Sequence, residues 1–241
     1  VERRWVPGEA LPSEFRLAEE FNVSQGTVRK ALNLLTDDKI VTRRQGVGTF
    51  VSEHTAQDAL FRFFPLQADG KGADLPKAEL LSVELCPAPH DVIDALQLNK
   101  KDKVTKLVRR RILDNEFCMS ETIYLPQSYF PDIHQSSDIP HTLYHYYQTK
   151  FKQTVHKTQD SIKAVLADET DAKMLAIKTG DPLLLVSRIT ESIEGKRIAI
   201  HHTNHTVVYN YITEQLCTHS IEQGWSGWHI NFCDQTQATL L

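Results

Sequence analysis

Apolar positions recur at helical spacing twice near the start of the chain, first at Leu17, Ala18 and Phe21, then at Val28, Ala31, Leu32 and Leu35. Only Asn22-Val23-Ser24 separates the two stretches. Ser13 can cap the first helix, Glu14 suits its positive first turn, Asn22 suits a left-handed stop and Ser24 can cap a second helix over 25–36. The pattern then changes to strand-like runs, Ile40–Arg44 and Thr49–Val51, joined by a Gly46-Val47-Gly48 turn. Helix, short turn, helix and β-hairpin follow one another in the order of a winged helix-turn-helix, which predicts a first domain over residues 1–53.

Beyond a polar stretch that reads as a linker leading into a first strand (54–74), helices and strands mix. Pro89 opens a helix carrying Val92, Ile93, Ala95 and Leu96. Val104–Leu113 and Phe117–Leu125 form a hairpin around Asp114-Asn115, and Leu183–Thr190 and Arg197–Val208 form another around Glu194-Gly195. Helices are expected over Pro140–Thr149 and Asp171–Ile177. A weak repeat runs through this part: Ala95-Leu96, Leu98, Asp102, Val104 and Arg109 match Met174-Leu175, Ile177, Asp181, Leu183 and Arg188 at an offset of 79. Two helix–turn–hairpin units would pair into one antiparallel sheet with helices against it, so the fold class is α+β, with a second domain over 75–216. Residues 217–241 form an extension to which no role is assigned.

Composition narrows the function. The 241 residues are 41% hydrophobic and 24% charged, ordinary for a globular chain, and the net charge of −4 excludes a generally basic nucleic-acid coat. The longest aliphatic run near the C-terminal third, Leu183–Val186, is far short of a membrane helix, so no membrane partner is expected. The four cysteines form no CxxC pair, which points to a reducing cytoplasm rather than a disulfide framework. The first 54 residues carry eight basic and eight acidic side chains, but Ser24–Thr49 holds five basic (Arg29, Lys30, Lys39, Arg43, Arg44) against two acidic (Asp37, Asp38). The surplus lies on the second helix and the hairpin.

That distribution suits DNA. A helix N-terminus in the major groove offers free N–H groups to phosphate. The Ser24 and Thr27 hydroxyls add neutral phosphate contacts and Arg29 a charged one, while Gln25 can present its amide to a base edge. Gly26 is unfavourable inside a helix, but near its start lets the backbone approach DNA; a neutral surface glycine is the plainer alternative. Gly46 and Gly48 make the turn, with a wing contact as an added role. Arg43 and Arg44 either touch phosphate or line a solvated strand edge.

The stretches Leu11-Pro12-Ser13-Glu14, Val23–Leu32 and Arg43–Val51 resemble the DNA-binding domain of GntR-family bacterial transcription regulators, and the Gln45–Val51 wing most resembles the histidine-utilisation-repressor (HutC) subfamily. Arg109-x-Arg111, Glu121 with Tyr124-Leu125-Pro126, and Gly180–Leu184 resemble that subfamily's effector domain, the UTRA domain, which implies a chorismate-lyase-like fold. Phe15 stands where many relatives carry a DNA-touching arginine, Gln25 replaces another, and the usual first helix is largely absent ahead of Trp5, which suggests a truncated start. The DNA contacts expected are Ser13, Ser24, Gln25, Gly26, Thr27, Arg29, Lys30, Arg43, Arg44, Gln45, Gly46 and Gly48.

Arg109 and Arg111 alternate onto one strand face, and two guanidinium forks suit a carboxylate or phosphate; the alternative is a solvated face or salt bridges to acidic neighbours. The resemblance makes both pocket residues and places Glu121 at an acidic pocket position, and the repeat maps Glu121 onto His201 with one residue of insertion. The eleven histidines complete no familiar ligand set, so neither a metal nor a cofactor is expected. There is no nucleophile elbow, P-loop, Rossmann fingerprint or HExxH. The expected protein is therefore not an enzyme. It is a cytoplasmic DNA-binding transcription regulator, by family habit a repressor, binding inverted-repeat operator DNA as a homodimer under control of a small, anionic effector. The alternatives are a purely structural dimerisation domain or a chorismate-lyase-like enzyme.

Overall fold

The computed structural model describes residues 4–38, 40–52, 76–113, 115–136 and 138–206. In the head, α1 (Glu14–Phe21) and α2 (Gln25–Asp37) are followed by the hairpin of β1 (Val41–Arg44) and β2 (Gly48–Val51). The Ser13 hydroxyl accepts the Arg16 N–H, Asn22 ends α1 in the left-handed region at φ 51°, and the Ser24 hydroxyl accepts the Thr27 N–H. Leu17, Ala18, Val28 and Leu32 form the small core, with Trp5, Leu11 and Leu35 packed against it. The capping reading therefore holds, although α2 runs one residue further than expected.

The second domain has β3 (Lys77–Pro87), α3 (His90–Leu96), β4 (Lys103–Leu113), β5 (Glu116–Pro126), a 3-10 turn (Ile133–Gln135), α4 (Leu143–Phe151), β6 (Val155–Leu166), α5 (Glu169–Leu175), β7 (Pro182–Ser192) and β8 (Arg197–Thr206). The six strands form one antiparallel sheet in the order β3-β4-β5-β8-β7-β6. The sequence repeat is structural. Adding 79 carries α3 onto α5 and β4 onto β7, and the Ser82↔Val108 pairing onto Ser161↔Ser187. The tight turns match too: Asp102 Oδ2 accepts the Asn99 N–H and Asp181 Oδ2 the Lys178 N–H, each at 2.8 Å. β5 meets β8 at the centre, where Thr122 pairs with His202, its own counterpart after the one-residue insertion.

The two faces of the sheet are covered differently. α3 packs Val92 and Leu96 on Val104 and Ile200, and α5 sets Leu175 beside Leu183. The opposite face is covered by α4 and the 3-10 turn, where Leu143, Tyr144, Tyr147, Phe130 and Ile133 bury Leu107, Ile123, Leu125 and Ala199.

Several expectations need correction. β3 and β6 have no counterpart in the sequence reading; both are edge strands, β6 exposed along most of its length and β3 alternating only in two short runs separated by a register shift between Leu80 and Ser82. α4 begins at Leu143 rather than Pro140, because His141 is held by its carbonyl and ring in bonds outside any helix. α5 runs over Glu169–Leu175 rather than 171–177: Asp168 and Asp171 make a capping box, and Ala176 turns left-handed at φ 56°. Residues 53–75, including the whole of the expected linker and first strand, and 217–241 lie outside the described residues.

Candidate functional site

The head gathers the predicted contact residues on its solvent side. Ser13, Ser24, Gln25, Gly26, Thr27, Arg29 and Lys30 are exposed, as are Arg43, Arg44, Gln45, Gly46 and Gly48 on the hairpin. Val28, between Thr27 and Arg29, turns inward into the core, which fixes the rotation of α2 and sends its neighbours outward. A Cβ at Gly26 would meet only the Ser24 hydroxyl, at an ordinary 3.7 Å, so nothing inside the head requires glycine there. Gly46 and Gly48 do need their positive φ, 73° and 145°, to turn the hairpin.

The arginines of this face are held by the protein. Arg29 Nε donates to Glu14 Oε2 at 2.9 Å, and Arg43 Nη2 to Glu14 Oε1 at 3.3 Å. The Arg44 guanidinium lies 4.4 Å from the centre of the Phe50 ring. One carboxylate at the start of α1 thus links the second helix to the hairpin.

In the second domain, β4 alternates so that Leu107, Arg109 and Arg111 all turn into the interior under α4. Arg109 is 2% exposed, Arg111 1% and Glu121 1%, so the solvated-face alternative for the arginines is excluded. Arg109 lies opposite Glu121 in the β4–β5 ladder. Its Nε donates to Glu121 Oε2, while Arg111 Nε donates to Oε1 at 3.0 Å, so one carboxylate bridges two guanidiniums. Burial alone would raise the Glu121 carboxyl, but Arg109 and then Arg111 outweigh it and hold it at about 2. Burial in turn lowers Arg109 from its ordinary range.

His201 joins this group diagonally across the β5–β8 ladder, since Glu121 pairs with Thr203 and Ile123 with His201. It is buried, and burial drives its pKa down to about 3, so the ring is neutral. Its Nε2 and the Tyr147 hydroxyl are both buried without a hydrogen-bond partner among the described residues. Tyr144 stands between them, its ring 5.8 Å from His201 and 5.9 Å from Tyr147. Among the described residues, two guanidiniums share one carboxylate in an interior where the His201 Nε2 and the Tyr147 hydroxyl have no hydrogen-bond partner.

Residues 1–51 match the family model of the bacterial regulatory proteins of the gntR family, and residues 72–209 match that of the UTRA domain. The chain belongs to the GntR family of regulators that carry a UTRA domain. It is 30% identical over 190 residues to the histidine utilization repressor of Klebsiella aerogenes, covering 78% of each chain. It is 29% identical over 180 residues to the mannosyl-D-glycerate transport/metabolism system repressor MngR of Escherichia coli (strain K12), covering 74% of each. The ligand-binding domain of a GntR-family transcriptional regulator from Bordetella bronchiseptica superposes with a TM-score of 0.57 at 22% identity, over 63% of this chain and 96% of that one. The protein is accordingly a DNA-binding transcription regulator controlled by a metabolite, not an enzyme, with the α+β fold expected.

In this GntR-family regulator, sequence reasoning missed part of the buried group. The repeat carries Arg109 onto Arg188 and Glu121 onto His201, and these two do pair in the β7–β8 ladder. A neutral histidine cannot balance Arg188, which is bound instead by Asp160 on β6 through Nε at 2.7 Å and Nη2 at 2.6 Å. Arg111 maps onto Thr190, whose hydroxyl meets the Tyr144 hydroxyl at 3.2 Å. The two halves therefore share a backbone but differ in charge. Applied to Arg188, the repeat could have found that arginine; nothing in the sequence pattern pointed to Asp160, Tyr144 or Tyr147.

Proposed function

We propose that this regulator is a repressor that binds an inverted-repeat operator as a homodimer in the cytoplasm and leaves it when a small anionic metabolite binds at Arg109, Arg111 and Glu121, with His201 beside them. The observation that carries the effector site is the buried Arg109–Glu121–Arg111 group. A charge taken out of water is costly unless compensated, and among the described residues the two guanidiniums share a single carboxylate. An anion adds negative charge beside the two guanidinium forks, and His201 Nε2 and the Tyr147 hydroxyl can hydrogen-bond polar groups on it. The relatives named as repressors of histidine utilization and of a mannosyl-D-glycerate system support both the sign of regulation and a small metabolite.

In the head, Gln25 reads a base edge, Ser24, Thr27, Arg29 and Lys30 hold phosphate, Gly26 allows close approach, and Ser13 with the wing residues Arg43, Arg44, Gln45, Gly46 and Gly48 adds contacts beside them. One winged helix covers only a few base pairs, and two related by a twofold axis give a usable address and demand a symmetric site. A thermal-shift panel of small carboxylates, phosphate esters, neutral sugars and amines tests the effector class: anions should raise Tm, and stabilisation by neutral or cationic compounds alone would contradict the site. Light scattering at micromolar concentration should give twice the chain mass, and a monomer that still binds operator fully would contradict the dimer.

A further inference from the structure

Arg111 connects the proposed effector site to the point where the chain arrives from the head. Each of its guanidinium nitrogens donates to a described residue: Nε to Glu121, Nη1 to the Pro76 carbonyl at 3.3 Å, and Nη2 to the His141 carbonyl at 3.5 Å. Arg109 Nη1 donates to the same His141 carbonyl at 3.5 Å. The His141 ring completes the loop, for its Nδ1 accepts the Ala78 N–H at 3.0 Å. Ala78 lies at the start of the edge strand β3 and pairs with Arg111 itself, while Pro76 precedes that strand and is buried. Two arginines, one histidine and two backbone carbonyls therefore fasten the beginning of β3, which is the attachment point of everything N-terminal to it.

We propose that this fastening is the coupling element between effector and DNA: an anion bound by the two arginines takes their Nη donors from the Pro76 and His141 carbonyls and so releases the start of β3. The proposal rests on the effector site argued above. The exchange is favourable because the displaced acceptors are neutral and distant. An anionic oxygen accepts from a guanidinium at about 2.7–2.9 Å and brings an opposite charge that a neutral carbonyl lacks. The released segment carries the head, so the state preferred by the anion and the state preferred by the operator differ in one place, which is the differential contact that coupling requires. His141 acts as a positioning residue. Its carbonyl senses the arginines, and its ring passes the change to the Ala78 amide.

Amide hydrogen exchange on the full-length chain at constant ionic strength reads this anchor. Arg111→Lys keeps the charge but loses both Nη donors, and His141→Ala keeps the carbonyl but loses the ring bond. Each should speed exchange in peptides covering residues 76–80 by about tenfold or more, as local opening of a fastened strand end predicts, without speeding β5 or β7. Each should also change affinity for an operator selected from random duplexes, with no anion present. In the wild-type chain, inorganic phosphate, sulfate or acetate at concentrations that raise Tm should speed the same peptides. If an anion raises Tm while residues 76–80 keep their protection, the coupling is overturned and the effector site stands. If none of the three raises Tm, the anion site and the coupling fall together. Unchanged exchange and unchanged operator affinity in both variants would overturn the coupling whatever the anions do.

Discussion

Glu14 on α1 and Arg29 on α2 form an ion pair at 2.9 Å, and the same carboxylate reaches Arg43 on the hairpin at 3.3 Å. Partly exposed pairs of this kind contribute little to stability. Without DNA the carboxylate holds two guanidiniums, and phosphates must compete with it for them. Glu14→Gln should leave Tm nearly unchanged and tighten binding to non-specific duplex, with little change in the salt slope because the same two arginines meet phosphate in both chains. The ratio of operator to non-specific affinity should fall. Salt titrations on both DNAs check this; weaker binding to both would contradict it.

Gln25 and Arg29 lie four residues apart on one exposed face of α2 but have different tasks. Gln25 is the first residue of the helix, and its amide both donates and accepts, as the N6/N7 edge of adenine requires. Gln25→Ala should cost about 1–3 kcal/mol on the operator and relax preference at one symmetric base pair. Arg29→Ala should weaken specific and non-specific DNA alike and lower the salt slope by about one unit per head. Equal loss on every single-base variant for Gln25→Ala would assign it to phosphate instead.

Much of this was legible because it rests on local rules. Ser13, Asn22 and Ser24 cap their helices through bonds within a few residues, and the repeat appears wherever a turn needs the same aspartate, Asp102 or Asp181. Alternation along Leu107, Arg109 and Arg111 gave the shared face. It could not tell which side of the sheet was buried, since two arginines on a buried face defy the hydrophobic rule until Glu121 is seen between them. Edge strands β3 and β6 escaped for the opposite reason. β6 has little burial to enforce alternation, and the register shift between Leu80 and Ser82 breaks the period of β3 into two short runs. Pro140 looks like a helix start locally, but tertiary bonds to His141 override it.

The bridging carboxylate makes the second domain sensitive to its removal. Glu121→Gln leaves two buried guanidiniums facing a neutral amide, and breaking a buried pair costs about 3–5 kcal/mol. Urea unfolding should show a lowered midpoint in the variant, partly restored by saturating anion. An unchanged midpoint would mean that the group is not held as described.

Acid should destabilise the same region in two stages. His201 has its pKa lowered to about 3 and His205 to about 4, both by burial from an ordinary value of 6.5, so the unfolded chain takes up these protons first. The stability they contribute is complete above pH 6.5 and declines as pH falls toward 4 and then 3. Glu121, held at about 2 against an ordinary 4.5, adds a second loss below pH 4.5. His201→Gln should flatten the Tm profile between pH 6.5 and 4.5 without removing the later fall. A profile as steep as wild type in that window would place the titration elsewhere.

The most direct measurement is operator affinity of the full-length chain with and without a metabolite that raises its Tm, compared with Arg109→Met, which keeps an apolar stem but no guanidinium. The account predicts that the metabolite weakens operator binding by wild type at least about fivefold, the lower range of ordinary allosteric coupling, and leaves Arg109→Met binding operator without response. Operator affinity indifferent to every stabilising metabolite, or an Arg109→Met chain that responds as fully as wild type, would contradict it.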